Sequence, residues 1–472
     1  MKKPYEELEQ ELHFVKGELC VAKEEGSHLK ELLKVALDRI AELEAKIGRN
    51  SRNSSKPPST DQKSDTPEDS RTKPKKSRPG ISRTPYPPER VDHHVDCTLD
   101  SCPCCNSTDL SESKLPPYVL QQVDLPPVQA IVTQFNCLRY LCKHCGHSSM
   151  GNLPPGTLHS SFGPKLMALL ATLTGRFHMA KREAKLLIRD LYGIELSEGS
   201  VVNVEERAAN ALDPVYERIH HFVVQKAIAR YMDETSWRNS GKRRYVWLAT
   251  SPLAAYYRID PCRSQEAFFK VVGTHLSVPS VTDRYGAYNA LDGPHQYCLA
   301  HLIRDFHSFA EEGGDSGQAA LKIEKELRRA CGIQAAWRKG EISSGQRKSR
   351  LSNSRRRLDE AFTDAMAFGS DKLSELCMRL EDEFEHLWVF ASTDGVEPTN
   401  NMAERDLRKL VLWRKKSYGT RSARGQRFVE RITSVVETIK KNGANVLSFL
   451  EAAIRAFSMK QAPPYINEAV GI

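Results

Sequence analysis

Three acidic residues have the flanking sequence that a metal-dependent phosphoryl-transfer site needs. Asp233 follows Tyr231 and Met232 and precedes Glu234 and Thr235, while Asp283 follows Val278, Pro279 and Val281 and precedes Arg284, Tyr285 and Gly286. Each reads as a carboxylate emerging from the end of a buried strand, and neighbouring strands would let the two share a cation. Glu404 comes just after Pro398, Thr399, Asn400 and Asn401, a helix start whose polar side chains are expected to satisfy free backbone N–H groups. Three converging carboxylates repel unless cations intervene, and hard oxygen ligands favour Mg²⁺ or Mn²⁺. Two such ions about 4 Å apart activate a hydroxyl and stabilise the leaving oxygen of an in-line phosphodiester displacement. With 60 acids in the chain, each alone is an ordinary surface residue. The strand, strand, helix placement is what singles these out.

A basic run follows Glu404: Arg405, Arg408, Lys409, Arg414, Lys415, Lys416, Arg421, Arg424 and Arg427, opposed locally only by Asp406. Such a run beside the acids suits a phosphate-binding surface. A second cluster carries different chemistry. Cys102 and Cys105 form one CxxC pair, and Cys142 and Cys145 form another, with Gly146 directly after it. Four thiolates complete a tetrahedral Zn²⁺ shell, which leaves no open position for a reacting water and so gives the ion a structural or DNA-contacting role. Cys104 could replace Cys102, and Cys97, Cys137, His144 or His147 could take one place. Stretches Tyr118 to Val123 and Ala130 to Tyr140 can supply strands for this module.

The elements that must carry these residues divide the chain into six expected units. Residues 1–48 repeat apolar or small residues in steps of three and four, from Tyr5, Leu8 and Leu12 to Ile40, Leu43 and Ile47, a heptad seam expected to pair as a coiled coil and make a homodimer. An antiparallel fold-back at Gly26 is the alternative. Residues 49–90, rich in Ser, Pro, Lys and Arg, read as a disordered basic linker, and 91–155 as the zinc ribbon. Residues 156–226 read as helices, with Gly193 ending one and Ser197 capping the next, as in a helix-turn-helix or an ordinary helical hairpin. Strands at 227–237, 245–251, 255–259 and 278–283, with a helix at about 265–272, make 227–442 an α/β catalytic unit. It contains a helical insertion at about 312–392 with Arg347, Lys348, Arg355, Arg356 and Arg357, whose charges bind DNA or simply solvate a face. Residues 443–472 form a helical tail.

Formal charge of +9 over 472 residues favours a polyanionic partner. The opening Lys2, Lys3 and glutamates leave no apolar leader, and no apolar run is long enough to cross a bilayer, so a cytoplasmic protein is expected. Twelve cysteines, mostly in two tight groups of a large chain, indicate metal binding rather than disulfides.

Over nearly its whole length the chain resembles the insertion sequence 66 family of bacterial transposases. The resemblance is carried by the leucine-rich start, the segment Asn50 to Ser59 (NSRNSSKPPS), the CPxC and CxxCG knuckles, Met232 to Thr235 (MDET), Asp283 to Tyr288 (DRYGAY) and Pro398 to Arg408 (PTNNMAERDLR). It implies a ribonuclease-H-like core with Asp233, Asp283 and Glu404 as metal ligands, acting on inverted-repeat element ends and helped by small accessory proteins from the same element. Cys298 and His301 resemble a CxxH signature found after the second aspartate in several transposase groups, with Leu299 where the family usually has an aromatic residue. They read as a helix-start element positioning the core, or as a DNA contact through His301. Two other classes remain: a zinc-dependent DNA-binding regulator with vestigial acids, and a coiled-coil protein that binds nucleic acid through charge alone.

Overall fold

The computed structural model describes residues 84–472 apart from 127, 156, 158 and 274–276, together with residues 16, 23, 28–37, 39 and 40. Residues 28–37 are helical, with Leu29, Leu33 and Leu37 exposed. Most of the expected dimerisation helix, and the basic linker up to residue 83, lie outside the described residues. No helix among those described is long and apolar enough to cross a membrane.

The centre is a five-stranded mixed sheet: β3 (Arg230–Asn239), β4 (Lys242–Thr250), β5 (Ala255–Asp260), β6 (Ser280–Thr282) and β7 (His295–Tyr297), in the order β5-β4-β3-β6-β7. Strand β4 runs antiparallel to both neighbours, whereas β3, β6 and β7 are mutually parallel. Ser240 and Gly241 turn the β3–β4 hairpin with positive φ angles of 50° and 76°, the pairing whose twist matches that of the flanking strands. Val246, Trp247, Leu248 and Ala249 are all buried, because helices cover both faces of β4. The expected strands and the helix α5 (Gln265–Val272) occur where the alternation put them. Strand β7 was not anticipated, since three residues between Pro294 and Cys298 are too few to show a period.

Preceding the sheet are the short antiparallel pair β1 (Arg139–Leu141) and β2 (Ser148–Met150), then α1 (Pro164–Gly175), α2 (Lys181–Tyr192), α3 (Glu198–Ala211) and α4 (Asp213–His221). Gly193 ends α2 in the left-handed region (φ 65°), and the Ser197 side chain caps α3 by accepting from the Ser200 N–H at 3.0 Å. Residues 118–138, expected to supply strands, contain none among those described.

After β7 comes α6 (Leu299–Glu311); the paired long helices α7 (Gly314–Arg338) and α8 (Ser344–Phe368), with α9 (Asp371–Asp382), then occupy the span expected for the helical insertion. The chain finishes in α10 (Asn401–Ser417), α11 (Ala423–Lys441) and α12 (Val446–Ser458). Helix α12 packs on α1, and α11 packs on α3 and β5. One hydrophobic cluster therefore runs from Met167 to Ile472, through the positions 226 and 443 where unit boundaries were expected.

Both sheet edges are covered. Along β5, the N–H groups of Ala255, Tyr257 and Ile259 donate to Thr438 Oγ1 (3.1 Å), Ser434 Oγ (2.9 Å) and Glu430 Oε1 (2.6 Å). Spacing of four on α11 thus matches spacing of two on the strand, and the ladder satisfies an edge that would otherwise template pairing with another chain. At β7, Gln296 donates to the Leu387 carbonyl (3.2 Å) and accepts from the Phe390 N–H (2.9 Å).

Candidate active site

The parallel register brings the two aspartates together. Tyr231 lies opposite Val281, so the parallel register carries Asp233 and Asp283 to the same end of neighbouring strands, Asp283 just past the last residue of β6. Asp233 Oδ1 accepts from the Glu234 N–H (2.8 Å), and Asp283 Oδ1 from the Tyr285 N–H (2.9 Å), which fixes each carboxylate at its strand end. Burial first, and then the charges of Glu234, Asp283 and Glu404, push the Asp233 carboxyl well above its ordinary range. Burial is the larger cause, and the neighbouring carboxylates add to it.

Glu404 lies in the first turn of α10, and the start of that helix is pinned to the sheet. Asn400 donates its side-chain amide to the Met232 carbonyl at 2.6 Å, one residue before Asp233. Its backbone N–H donates to the buried Cys298 Sγ at 3.1 Å, and the Leu299 N–H donates to the Pro398 carbonyl at 2.9 Å. The Cys298 N–H in turn donates to the Thr282 carbonyl at 2.8 Å, next to Asp283. Cys298 therefore joins the strand carrying one aspartate to the helix carrying Glu404. The expectation that Asn400 would cap α10 through its side chain is corrected, since no such bond forms. The amide is spent on β3 instead, where an unpaired carbonyl in the core would cost more than an uncapped helix end.

Glu404 Oε1 receives Arg304 Nη2 at 3.1 Å, with His301 Nε2 at 3.6 Å. Burial, then Arg304, lower the His301 imidazole below its ordinary value, so this ring is neutral at pH 7. Among the described residues, no three His, Cys, Asp or Glu are placed to grip one ion. Three anionic groups repel one another, and Glu404 takes the Arg304 guanidinium as its counter-charge. The oxygen donors of Asp233, Asp283 and Glu404 fit hard divalent cations in type, and the carboxylate repulsion fits them in charge.

Glu234 is not a fourth member of this group. Strand alternation turns it to the other face, where its side chain is 1% exposed and bound by Arg263 and by the Tyr288 hydroxyl. Arg263 lies over the Tyr285 ring at 3.7 Å. Sequence reasoning missed Arg304, Arg263 and the bracing role of Asn400. Only Asn400 had a signal, inside the segment already singled out.

The basic run divides in two. Arg405, Arg408, Lys415, Lys416, Arg421 and Arg427 are exposed, as a phosphate-binding surface requires. The other three have partners within the chain. Lys409 pairs with Glu437, Arg424 with Glu206 at 3.2 Å, and Arg414 donates to the Ser236 carbonyl. Burial, followed by Lys440 and Lys441 close by, pulls the Lys409 ammonium down to about 7. In the insertion, Arg347 is buried and donates to Gln334 (2.9 Å) and the Phe390 carbonyl (2.7 Å). Arg355, Arg356 and Arg357 pair with Glu385, Glu360 and Glu326, while Lys348 is exposed.

The two CxxC knuckles share one local geometry. Cys102 N–H donates to the Ser107 carbonyl (2.9 Å) and Cys142 N–H to that of His147 (2.8 Å), while Asn106 and Gly146 N–H groups return to the carbonyls of Cys102 and Cys142 (both 2.9 Å). Asn106 and Gly146 are both left-handed, with φ of 56° and 69°. Backbone N–H groups of Cys104 and Cys105, and of Cys145 and His144, lower the thiols of Cys102 and Cys142. The donor set of the two knuckles fits Zn²⁺. The described side chains do not gather the four sulfurs of Cys102, Cys105, Cys142 and Cys145 into one cluster.

Residues 159–427 match the model of the transposase IS66 family, and residues 100–146 that of the zinc-finger binding domain of transposase IS66. Residues 3–87 match a family of unknown function. A protein of Sinorhizobium fredii (strain NBRC 101917 / NGR234), named "Uncharacterized protein y4jD", is 23% identical over 395 residues, covering 76% of this chain and 75% of that protein. The matched span takes in β3, β6 and the start of α10, the three elements that the Cys298 and Asn400 bonds tie together, and exceeds half of the 472 residues: the chain belongs to the IS66 family of transposases.

Proposed function

We propose that the chain is a DDE-type DNA transposase that cuts at the terminal inverted repeats of a bacterial insertion sequence and joins the freed strand to target DNA. The observation that supports this reading most is the parallel register of β3 and β6, whose neighbouring ends carry Asp233 and Asp283, together with the Asn400 bond that ties the start of α10, and so the turn bearing Glu404, to β3. A ribonuclease-H-like core is supported by the strand order, with β4 alone reversed among five strands.

Asp233, Asp283 and Glu404 would hold two Mg²⁺ or Mn²⁺ ions. When bound, such ions supply an activated hydroxyl and a stabilised leaving oxygen for phosphodiester exchange. The chain's own residues position the rest. Arg304 balances the Glu404 carboxylate until the acids are needed as ligands, Asn400 and Cys298 keep the three elements in register, and the exposed cations Arg405 and Arg408 hold DNA phosphates alongside. One Zn²⁺ on Cys102, Cys105, Cys142 and Cys145 would organise the module at 100–146, which takes part in DNA binding. The heptad seam at 1–48 would pair two copies, accessory proteins of the same element would complete the assembly, and the protein would work in the cytoplasm on nucleoid DNA.

The test incubates purified protein with a labelled element end and Mg²⁺ and maps any nick. Asp233→Ala, Asp283→Ala and Glu404→Ala are each expected to bind the end yet lose nicking and strand transfer. Near-normal activity in any one removes that residue from the triad. Retention of the end with no nick under any divalent ion supports the zinc-dependent regulator instead.

A further inference from the structure

A second surface lies at the far end of β3 and α10. No Asp or Glu occurs between Glu234 and Asp260, and none between Asp406 and Glu430. The fold sews these two acid-free stretches together. Thr420 N–H donates to the Arg238 carbonyl (2.8 Å), Ser240 N–H to the Thr420 carbonyl (2.8 Å), and Ser240 Oγ to the Arg421 carbonyl (2.7 Å). The loop after α10 is thereby docked on the β3–β4 hairpin. Gly419 makes the approach possible: at φ +99°, a Cβ there would stand 2.2 Å from the Arg238 carbonyl oxygen.

Docking holds Tyr418 in the left-handed region (φ 56°) with 80% of its surface exposed. A non-glycine residue in that conformation is strained, and an exposed ring returns nothing to the fold in compensation. Exposed cations flank it in the docked segments: Arg238, Lys242 and Arg243 of the hairpin, the last lying over the Tyr245 ring at 5.3 Å, and Lys415, Lys416 and Arg421 of α10 and its loop. None of these six joins a salt bridge among the described residues, unlike Lys409 on α10 and Arg424 at the start of α11. The sequence run had suggested the α10 half of this surface. The hairpin half and the tyrosine emerge only from the fold.

We infer that this surface is a DNA platform, in which the six cations hold backbone phosphates and Tyr418 stacks on an unpaired base. An exposed aromatic ring amid cations matches a strand whose bases are turned outward, whereas an intact duplex hides its base faces. Five residues of β3 separate Asp233 from Arg238, about 16 Å, and fourteen residues of α10 and its loop separate Glu404 from Tyr418, about 21 Å. At the duplex rise of about 3.4 Å the platform would meet the strand about five or six nucleotides from the acids, and an extended unpaired strand would cover the distance with fewer. This rests on the chain acting on DNA, and is independent of what the acids do.

The test uses full-length protein without added Mg²⁺ or Mn²⁺ and two probes: a duplex with a single-stranded 3′ tail carrying 2-aminopurine, and the same duplex blunt. Wild type is expected to prefer the tailed probe and to change the 2-aminopurine fluorescence. Tyr418→Ala should lose about tenfold on the tailed probe alone, together with the fluorescence change, while Tyr418→Phe keeps both. Replacing Arg238, Lys242 and Arg243 by alanine should weaken both probes and lower the salt slope by about two to three. Wild-type behaviour of Tyr418→Ala, loss of the signal in folded Tyr418→Phe, or an unchanged salt slope overturns the proposal. If wild type binds neither probe, this inference falls together with the DNA reading. Lost nicking with these effects intact counts against the acids alone.

Discussion

Removing the Asn400 amide tests whether the catalytic geometry is held where the fold suggests. The side chain is 1% exposed and spans 2.6 Å from its Nδ2 to the Met232 carbonyl, one residue from Asp233. Asn400→Ala removes that donor inside the core, at a cost of about 1–3 kcal/mol for a buried carbonyl left without it. The backbone bond from Asn400 to Cys298 Sγ survives the substitution, so α10 should stay docked but lose its lateral restraint. Displacement of one reacting group by about 1 Å can cost about a hundredfold in rate. Asn400→Asp is nearly the same size, yet sets a carboxylate oxygen against the Met232 oxygen and adds charge beside Asp233. It should be the worse of the two. The assay pairs urea unfolding with single-turnover nicking of a labelled element end in Mg²⁺, and DNA affinity measured separately. A lower midpoint with unchanged slope, normal DNA affinity and nicking reduced about a hundredfold is expected. If folded Asn400→Ala nicks at the wild-type rate, the bond to β3 does not hold Glu404 in register.

Two further outcomes follow from other parts of the molecule. Burial raises the Glu430 carboxyl from an ordinary value near 4.5 to about 7, so the folded chain binds this proton more tightly than the unfolded chain. Its contribution is fully present below about pH 4.5 and is lost as pH rises to about 7, by at most about 3 kcal/mol. Glu430→Gln keeps an acceptor for the Ile259 N–H and should flatten the fall in urea midpoint between pH 5 and 8; equal slopes for the two proteins would refute the assignment. For the zinc module, a chelator or Cys142→Ser should open residues 100–146 to proteolysis while the main unfolding transition, carried by the cluster from Met167 to Ile472, stays within a degree or two of its place. Intact resistance to protease after the metal is stripped and assayed as absent would count against the knuckles as its ligands.

The sheet, and the strand ends that carry Asp233 and Asp283, were legible because their signals are local. Alternation marked β3, β4 and β5, and Asp233 and Asp283 announced themselves by following apolar runs. The helix stop at Gly193 and the cap at Ser197 are likewise one-residue rules that need no knowledge of the rest of the chain. What stayed hidden depends on distant partners. Arg347 reads as a surface charge until Gln334 and the Phe390 carbonyl close over it. Lys409, Arg414 and Arg424 look identical to their exposed neighbours in sequence, and only Glu437, Ser236 and Glu206, contributed by other elements, distinguish them.

The same dependence on distant partners links the two functional surfaces. Strand β3 and helix α10 each carry an acid near one end and cations near the other, and two tethers join them: Asn400 to Met232 beside the acids, and Thr420 to Arg238 beside Tyr418. A strand and a helix joined at both ends cannot slide past each other without breaking one tether. On the two proposals together, a DNA strand gripped at the Tyr418 end would be held at a set distance from Asp233 and Glu404, and the position of the cut would be a property of the frame rather than of any base the protein reads. Lengthening α10 by one residue between Arg408 and Trp413 would turn Lys415, Lys416 and the buried Trp413 by about 100° and pull on the Thr420 tether while leaving Glu404 in place, so the mapped cut should shift or blur; an unmoved cut would refute the shared frame.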